Sequence, residues 1–193
     1  MPKKKTNAPR VNSAPLKGKT ILLGVTGSIA IIKSLELVRR LTEEGSKVIC
    51  LMTANAQKFI APLTFGALSG NPVMTDIWDG TLWKMAHIES SEIADLFIIA
   101  PASANCIAKI ASGLADDVVT TSALAVKAPK IIAPAMHESM WKNPVTQENV
   151  RRLKTCGYSF VGPAYGVLLK GGKGLGRMSE IQDIISAAKK VLS

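Results

Sequence analysis

Long hydrophobic runs, cysteines and histidines are scarce in this sequence, and each shortage excludes a class of protein. Every apolar stretch is shorter than the roughly 18–20 residues that span a bilayer, and the first residues lack the apolar segment of a secretory signal. The 3 cysteines have unrelated spacings and there are only 2 histidines, which excludes a disulfide framework and a cysteine–histidine zinc site. We therefore predict a cytoplasmic protein with free thiols, no metal and no membrane association.

Acidic residues are missing from the first 19 positions, which contain six lysines and arginines. These six cations account for more than half of the net charge of +10. Because the positive charge is concentrated at one end, it does not indicate a nucleic-acid-binding surface. The same segment is rich in proline, asparagine and serine and has little to bury. We predict a basic disordered tail at residues 1–18 and a single folded domain at residues 19–193.

Apolar, β-branched segments alternate along the chain with segments whose apolar residues recur at helical spacing. The predicted strands cover residues 19–25, 47–52, 94–101, 128–136 and 158–163. The predicted helices cover residues 28–45, 61–69, 105–117, 143–157 and 179–193. This alternation predicts an α/β fold, a single-domain, doubly wound parallel sheet of the Rossmann-like type.

Each predicted strand is followed by a loop of unusual composition. In chain order these loops read GVTGSIA, TANA, PASANC, PAMHESMW and PAYGVLLKGGKGLGRM. The carboxyl ends of parallel strands meet at one edge of a sheet, and ligands bind outside that edge. Five polar or glycine-rich loops at the same edge predict a ligand site there.

The first of these loops favours a phosphate, since its backbone N–H groups and Ser28 precede a helix whose dipole attracts anions. A dinucleotide site would need GxGxxG and an acid near the end of the second strand. The chain has GxxGS, and its second strand ends in Thr53-Ala54-Asn55 without an acid. The pattern therefore favours a mononucleotide phosphate over NAD.

Two other loops leave their role open on residue type alone. Ser103, Ala104 and Asn105 suit the polar edge of a flat heterocycle, but serine and asparagine are also ordinary helix N-caps. His137 follows the fourth strand, where it would either bind a substrate or merely cap a loop.

Taken together, GVTGSIA, HIESSEIADLFIIAPASAN, PAMHESMW and GKGLGRM resemble motifs of the homo-oligomeric flavin-containing cysteine decarboxylases. The resemblance runs in order from about Lys19 to the C-terminus. It implies a flavoprotein fold, FMN bound between the subunits of a homotrimer or a multiple of trimers, and a separate synthetase partner. The implied reaction is decarboxylation of a small-molecule phosphorylated cysteine conjugate, 4′-phosphopantothenoylcysteine, to 4′-phosphopantetheine in coenzyme A biosynthesis.

The resemblance also assigns roles to individual residues. It implies that His87 is the catalytic histidine that handles a proton. The residues that it places against FMN come from four of the loops: Gly27, Ser28, Ile29, Thr53, Asn55, Ser103, Ala104, Asn105, Ala135 and Met136.

Two positions depart from the family pattern. His137 stands where the family usually has an asparagine that binds the substrate carboxylate, and an imidazole N–H can donate to the same oxygen. Protonated, it would make a charge-assisted bond, which makes binding pH-dependent. Lys170 stands where the coenzyme A enzymes have a cysteine that protonates an enethiol. We expect Lys170 to donate that proton or to bind a substrate phosphate.

Two alternatives to the leading function remain open. One is an oxidative decarboxylase of a peptide's C-terminal cysteine, which releases an enethiol and needs no such cysteine. The other is a flavin-binding regulatory subunit without catalysis. The basic residues Lys170, Lys173 and Arg177 favour a phosphorylated substrate, and His87 favours an enzyme.

Overall fold

The computed structural model describes residues 15–77, 93–167 and 172–193. Within these ranges seven strands form: β1 (Thr20–Val25), β2 (Lys47–Met52), β3 (Leu96–Ala102), β4 (Lys130–Pro134), β5 (Tyr158–Phe160), β6 (Ala164–Val167) and β7 (Lys173–Arg177). The helices of the same ranges are α1 (Ile31–Glu43), α2 (Ala54–Gln57), α3 (Pro62–Ser69), α4 (Ala104–Ser112), α5 (Val118–Ala125), α6 (Glu138–Lys142), α7 (Pro144–Thr155) and α8 (Ile181–Leu192).

Five strands form one parallel sheet in the order β2-β1-β3-β4-β5. The central strand pairs are in continuous register, with Ile21 of β1 opposite both Val48 of β2 and Leu96 of β3. The α/β fold predicted from the alternation of strands and helices, a doubly wound parallel sheet, is confirmed.

Helices cover both faces of this sheet because its strand residues alternate between two hydrophobic clusters. Leu23 of β1 and Ile98 of β3 belong to the cluster under α1, α3 and α8. Leu22 and Phe97, their neighbours in sequence, belong to the cluster under α4, α5 and α7. Since both faces are buried, the strands read as continuous apolar runs, which is why the sequence reveals them.

The predicted tail is too long at its C-terminal end. Leu16 is fully buried in the core, its carbonyl accepts a hydrogen bond from Ser46 Oγ at 2.8 Å, and Gly18 N–H donates to Gly45 O at 2.9 Å. An apolar side chain with a place in the core keeps residues 15–18 in the folded domain. Residues 1–14 lie outside the described ranges.

Further elements differ from the prediction, beginning with the short helices α2 and α6, which were not predicted. Helix α5 was not predicted, and β6 and β7 pair as an antiparallel hairpin where the sequence predicted only a glycine-rich loop. Gly176 has no register partner in β6, because the register shifts between Ala164 and Tyr165. Among the described residues, no helix is both long enough and apolar enough to cross a membrane.

Candidate functional site

A polar cavity of about 520 Å³ lies at the carboxyl ends of β1, β2, β3 and β4. Nine residues that were predicted to face the cofactor line it: Gly27, Ser28, Thr53, Asn55, Ser103, Ala104, Asn105, Ala135 and Met136. We call it the strand-end cavity. The structure thus brings together loops that are separated by up to about half of the chain.

Helix starts position two of its hydroxyl side chains. Thr53 is the N-cap of α2 and accepts from Ala56 N–H at 3.2 Å. Ser103 is the N-cap of α4 and accepts from Cys106 N–H at 3.3 Å. Capping and lining a cavity are therefore compatible, so the cap does not exclude the contact with a flat heterocycle, which stays a prediction for Ser103. The caps also fix the rotamers of both side chains before any ligand binds.

Thr26 joins the first and third loops, a role that the sequence prediction missed. Its buried hydroxyl donates to Pro101 O at 2.7 Å and accepts from Ser103 N–H at 3.0 Å. The position of GVTGSIA relative to PASANC is thereby fixed. The contact spans 77 residues of sequence, so no local pattern could have revealed it.

Gly27 and Ser28, which precede helix α1, line the part of the cavity that suits an anion. A Cβ on Gly27 would lie 2.7 Å from Asn55 Cβ, so only glycine allows the first two loops to approach this closely. Helix α1 has Ala30 as its N-cap and no capping side chain. Ile31 N–H and Lys33 N–H already bond Ser28 O and Ala30 O, at 3.0 and 2.9 Å. What this end of the helix offers an anion is therefore mainly the positive end of its dipole.

Charged residues that the sequence prediction missed line the same cavity. Lys109 Nζ bonds both carboxylate oxygens of Asp116 at 2.8 Å and lies 3.5 Å from Asp117. The hydrogen bond to Asp116 is the main reason that the pKa of Lys109 is raised, and the same bond lowers the pKa of Asp116. Asp117 in turn caps α5 through Val119 and Thr120. The adjacent acids Asp116 and Asp117, shortly after Lys109 in the sequence, were the signal from which this ion pair could have been predicted.

A second, mostly apolar cavity of about 640 Å³ adjoins the first and shares Ser28, Ala135 and Met136 with it. We call it the hairpin cavity, because Val167 of β6 and Gly176 and Arg177 of β7 line it. Ile29, predicted to face the cofactor, lies here and not in the strand-end cavity. The remaining lining residues are Ala30, Ile32, Lys33, His137 and Met178.

His137 both caps a helix and lines the hairpin cavity. It is the N-cap of α6, and its Nδ1 accepts from Ser139 N–H at 3.3 Å and lies 2.9 Å from Ser139 Oγ. An Nδ1 that accepts a backbone N–H carries no proton, so the neutral tautomer carries its proton on Nε2. Nε2 is then the ring nitrogen that can donate to a ligand in the cavity, and the binding role of His137 stays a prediction.

The other two predicted catalytic residues, His87 and Lys170, lie outside the described residues. Their positions relative to the cavities therefore stay predictions.

Basic side chains stand at the edge of the hairpin cavity. Lys33 Nζ pairs with Glu180 at 2.9 Å, and Arg177 pairs with the same carboxylate. Burial lowers the pKa of Lys33, and the nearby charge of Arg177 lowers it further. This edge of the cavity therefore carries two cations that share the Glu180 carboxylate, with Asp183 near enough to act on the pKa of Lys33. In the described part of the chain, no group of three or more His, Cys, Asp or Glu residues could hold a metal ion.

Comparison with known proteins gives consistent matches. A family model described as Flavoprotein matches residues 9–193. The chain is 46% identical over 172 residues to the coenzyme A biosynthesis bifunctional protein CoaBC of Vibrio cholerae, covering 89% of this chain and 43% of that protein. It is 43% identical over 177 residues to a probable phosphopantothenoylcysteine decarboxylase of Streptococcus mutans, covering 90% and 99%. The chain thus spans less than half the length of the bifunctional relatives.

Two solved structures are similar over nearly their whole length. A PPC decarboxylase mutant complexed with pantothenoylaminoethenethiol has a TM-score of 0.80 at 31% identity, covering 90% of this chain and 98% of that chain. The FMN-dependent cysteine decarboxylase SpaF has a TM-score of 0.75 at 33% identity, covering 92% and 97%.

Proposed function

Because this chain belongs to the Flavoprotein family, we propose that it binds FMN and decarboxylates 4′-phosphopantothenoylcysteine to 4′-phosphopantetheine. One observation carries the proposal: the 43% identity to the Streptococcus mutans protein extends over 90% of this chain and 99% of that protein. Similarity over the full length of a relative of the same size includes every loop at the ligand edge.

The strand-end cavity fits FMN in its chemistry. The positive end of the α1 dipole and the close approach at Gly27 suit the phosphate. Ser103 and Asn105 offer hydrogen-bonding groups for the polar edge of the ring, and Ala104 leaves room for its flat surface. Bound FMN supplies the two-electron redox chemistry that a cysteine α-carboxylate requires before it can leave as CO₂.

The hairpin cavity is our proposed place for the substrate. His137 Nε2–H would bind the carboxylate, while Ile29, Ile32 and Val167 form an apolar wall for the uncharged part of the molecule. Lys33 and Arg177, which line the same cavity, are the cations that we propose meet the anionic groups of the substrate. His87 is the residue that we propose moves a proton, and Lys170 the one that protonates the enethiol or binds phosphate.

We also propose a homotrimer, or a multiple of trimers, in the cytoplasm. Its support is the exposed apolar surface beside the hairpin cavity, where Ile29, Ile32 and Val167 are 49%, 64% and 63% exposed. Cys50, Cys106 and Cys156 are free thiols, which suits a reducing compartment. A synthetase is the proposed partner, since the bifunctional relatives are named for coenzyme A biosynthesis.

A second candidate function is oxidative decarboxylation of a cysteine compound without the later reduction. The observation that favours it is the similarity to SpaF, whose 33% identity matches the 31% of the PPC decarboxylase. The two candidates differ in the redox state of the product.

Mass spectrometry of the product distinguishes these candidates. Purified protein is incubated with FMN and phosphopantothenoylcysteine. Loss of CO₂ alone supports the leading proposal, whereas loss of CO₂ and two hydrogens supports the oxidative alternative. If the substrate is unchanged although the protein is yellow with bound FMN, both proposals fail and a flavin-binding regulatory role gains support. Protein that stays colourless with excess FMN contradicts the cofactor assignment.

A further inference from the structure

One side chain of α6 reaches the hairpin that lines the substrate cavity. Glu138, directly after His137, accepts a hydrogen bond from Leu175 N–H of β7 at 3.1 Å. Its carboxylate also pairs with Lys142 Nζ at 2.9 Å, one turn along the same helix. The two elements that Glu138 connects are 37 residues apart in sequence.

Both partners stabilise the ionised form of Glu138. The hydrogen bond with Lys142 and then that with Leu175 N–H lower the pKa of the Glu138 carboxyl. An ionised acceptor makes a hydrogen bond roughly twice as strong as a neutral one. The contact with β7 is therefore a strong one for a side chain at the protein surface.

A second contact holds β7 at the same place but involves only backbone atoms. Met136 N–H donates to Gly176 O at 2.9 Å, and a Cβ on Gly176 would lie 2.2 Å from Met136 O. Because the register with β6 shifts here, the Gly176 carbonyl can turn toward the loop after β4. Glu138 is the side-chain half of this junction and can be changed by mutation.

Glu138 itself lines neither cavity. Its neighbour in sequence and the neighbours of its partner Leu175 line the hairpin cavity. His137 precedes it, and Gly176 and Arg177 follow Leu175. A change at Glu138 can therefore move β7 relative to His137 without removing a group that touches a ligand.

We propose that Glu138 is a positioning residue that holds strand β7 against His137 and thereby sets the width of the hairpin cavity. Its effect on the substrate depends on the proposed function, whereas its effect on β7 does not. Losing it should weaken substrate binding and leave FMN binding in the strand-end cavity intact.

The first test is amide hydrogen exchange of the full chain with FMN. In Glu138→Ala the Leu175 amide should exchange about tenfold faster, since its acceptor is gone. Glu138→Gln keeps an acceptor oxygen and should restore the slow exchange. Lys142→Met removes only the ion pair and should resemble the wild type. Glu148→Ala, which removes an exposed carboxylate that pairs with Arg151 on α7, is the matched control.

The second test measures substrate and cofactor separately. We expect Glu138→Ala to raise KM about tenfold with kcat and the FMN dissociation constant nearly unchanged, and Glu138→Gln to rescue KM. Unchanged exchange at Leu175 in Glu138→Ala overturns the proposal. So does Lys142→Met behaving like Glu138→Ala, or a loss of FMN affinity that accompanies the rise in KM. If the wild type does not decarboxylate the substrate, the proposed function is wrong, and the exchange result alone decides the role of Glu138.

Discussion

The strand-end cavity and the hairpin cavity adjoin each other but are built in different ways. The first is formed by short loops whose polar groups bond each other or cap the helix that follows, as Thr53 and Ser103 do. The second depends on a hairpin from the C-terminal part of the chain, held by the junction of Met136 and Glu138 with β7. The comparison teaches that the two cavities are supported separately, so under the proposed function we expect cofactor binding and substrate binding to be disrupted separately.

The strongest separation is expected of His87→Asn. If His87 moves a proton, turnover should fall by roughly 10²–10⁴-fold while the FMN dissociation constant stays within a factor of about two. Steady-state decarboxylation and flavin fluorescence titration measure the two effects. A fall in turnover together with a rise in the FMN dissociation constant would place His87 in the cofactor site and remove it from catalysis.

Gly27→Ala should damage the strand-end cavity. Its Cβ would lie 2.7 Å from Asn55 Cβ, and relieving such an overlap costs about 1–3 kcal/mol. We expect FMN affinity to fall roughly tenfold to a hundredfold, as measured by fluorescence titration.

Gly66→Ala is the matched control for Gly27→Ala. A Cβ there meets nothing closer than 3.5 Å, and in helix α3 alanine should stabilise by up to about 1 kcal/mol. Equal FMN affinity in Gly27→Ala and the wild type would contradict the close approach.

His137→Ala should damage the hairpin cavity alone. Losing a hydrogen bond to a charged carboxylate costs roughly 1.5–3 kcal/mol, so KM should rise about tenfold to a hundredfold without loss of bound FMN. His137→Asn retains both an N-cap acceptor and a side-chain N–H donor, and it should keep activity. Weak substrate binding by His137→Asn would show that the imidazole itself is needed.

Asp95→Asn, at the opposite edge of the sheet, should affect neither cavity. Asp95 pairs with Lys19 Nζ at 2.9 Å and accepts from Thr20 N–H at 2.8 Å. Burial tends to raise the pKa of Asp95, but these partners outweigh it, and the net pKa is lowered. Its stabilising contribution is therefore present above the unfolded pKa and lost as pH falls through the lower folded value.

The expected loss of stability in Asp95→Asn is at most about 1 kcal/mol at neutral pH. Denaturant unfolding at pH 7 and near pH 3 measures it, and the difference between variant and wild type should shrink at the lower pH. An unchanged difference, or a change in FMN affinity, would contradict this assignment.

The same contrast explains how much of the molecule the sequence predicts. The five strands of the parallel sheet and most helices were predicted because buried parallel strands and amphipathic helices leave local patterns in the sequence. Helix α5 was missed because its apolar residues and threonines are not separated onto two faces of the helix. Its capping box also pairs Asp117 with Thr120, at a position where glutamate is the usual partner. The hairpin was missed because its strands are short and rich in glycine.

The residues of the candidate site likewise divide into those that the sequence predicts and those that it does not. Residues of the strand-end cavity lie directly after predicted strands, so the rule for parallel sheets finds them. Thr26 and Glu138 were missed because their roles depend on contacts with residues that are 77 and 37 positions away. Lys109 was missed although its partner Asp116 is only seven positions away. Leu16 was missed for another reason, because a single apolar residue in a polar segment gives no sign that it is buried.

The two hydrogen bonds of the Thr26 hydroxyl have a consequence for the entropy of ligand binding. Loops that are already cross-braced lose little conformational freedom when a ligand arrives, so the interaction free energy appears almost entirely as affinity. The hairpin cavity is braced elsewhere, by Met136 and Glu138 to β7 and by Lys33 Nζ to Met178 O at 3.4 Å. One shared edge of a sheet thus combines two separately braced cavities. Under the proposed function, one would hold a resident molecule and the other a molecule that enters and leaves at every turnover.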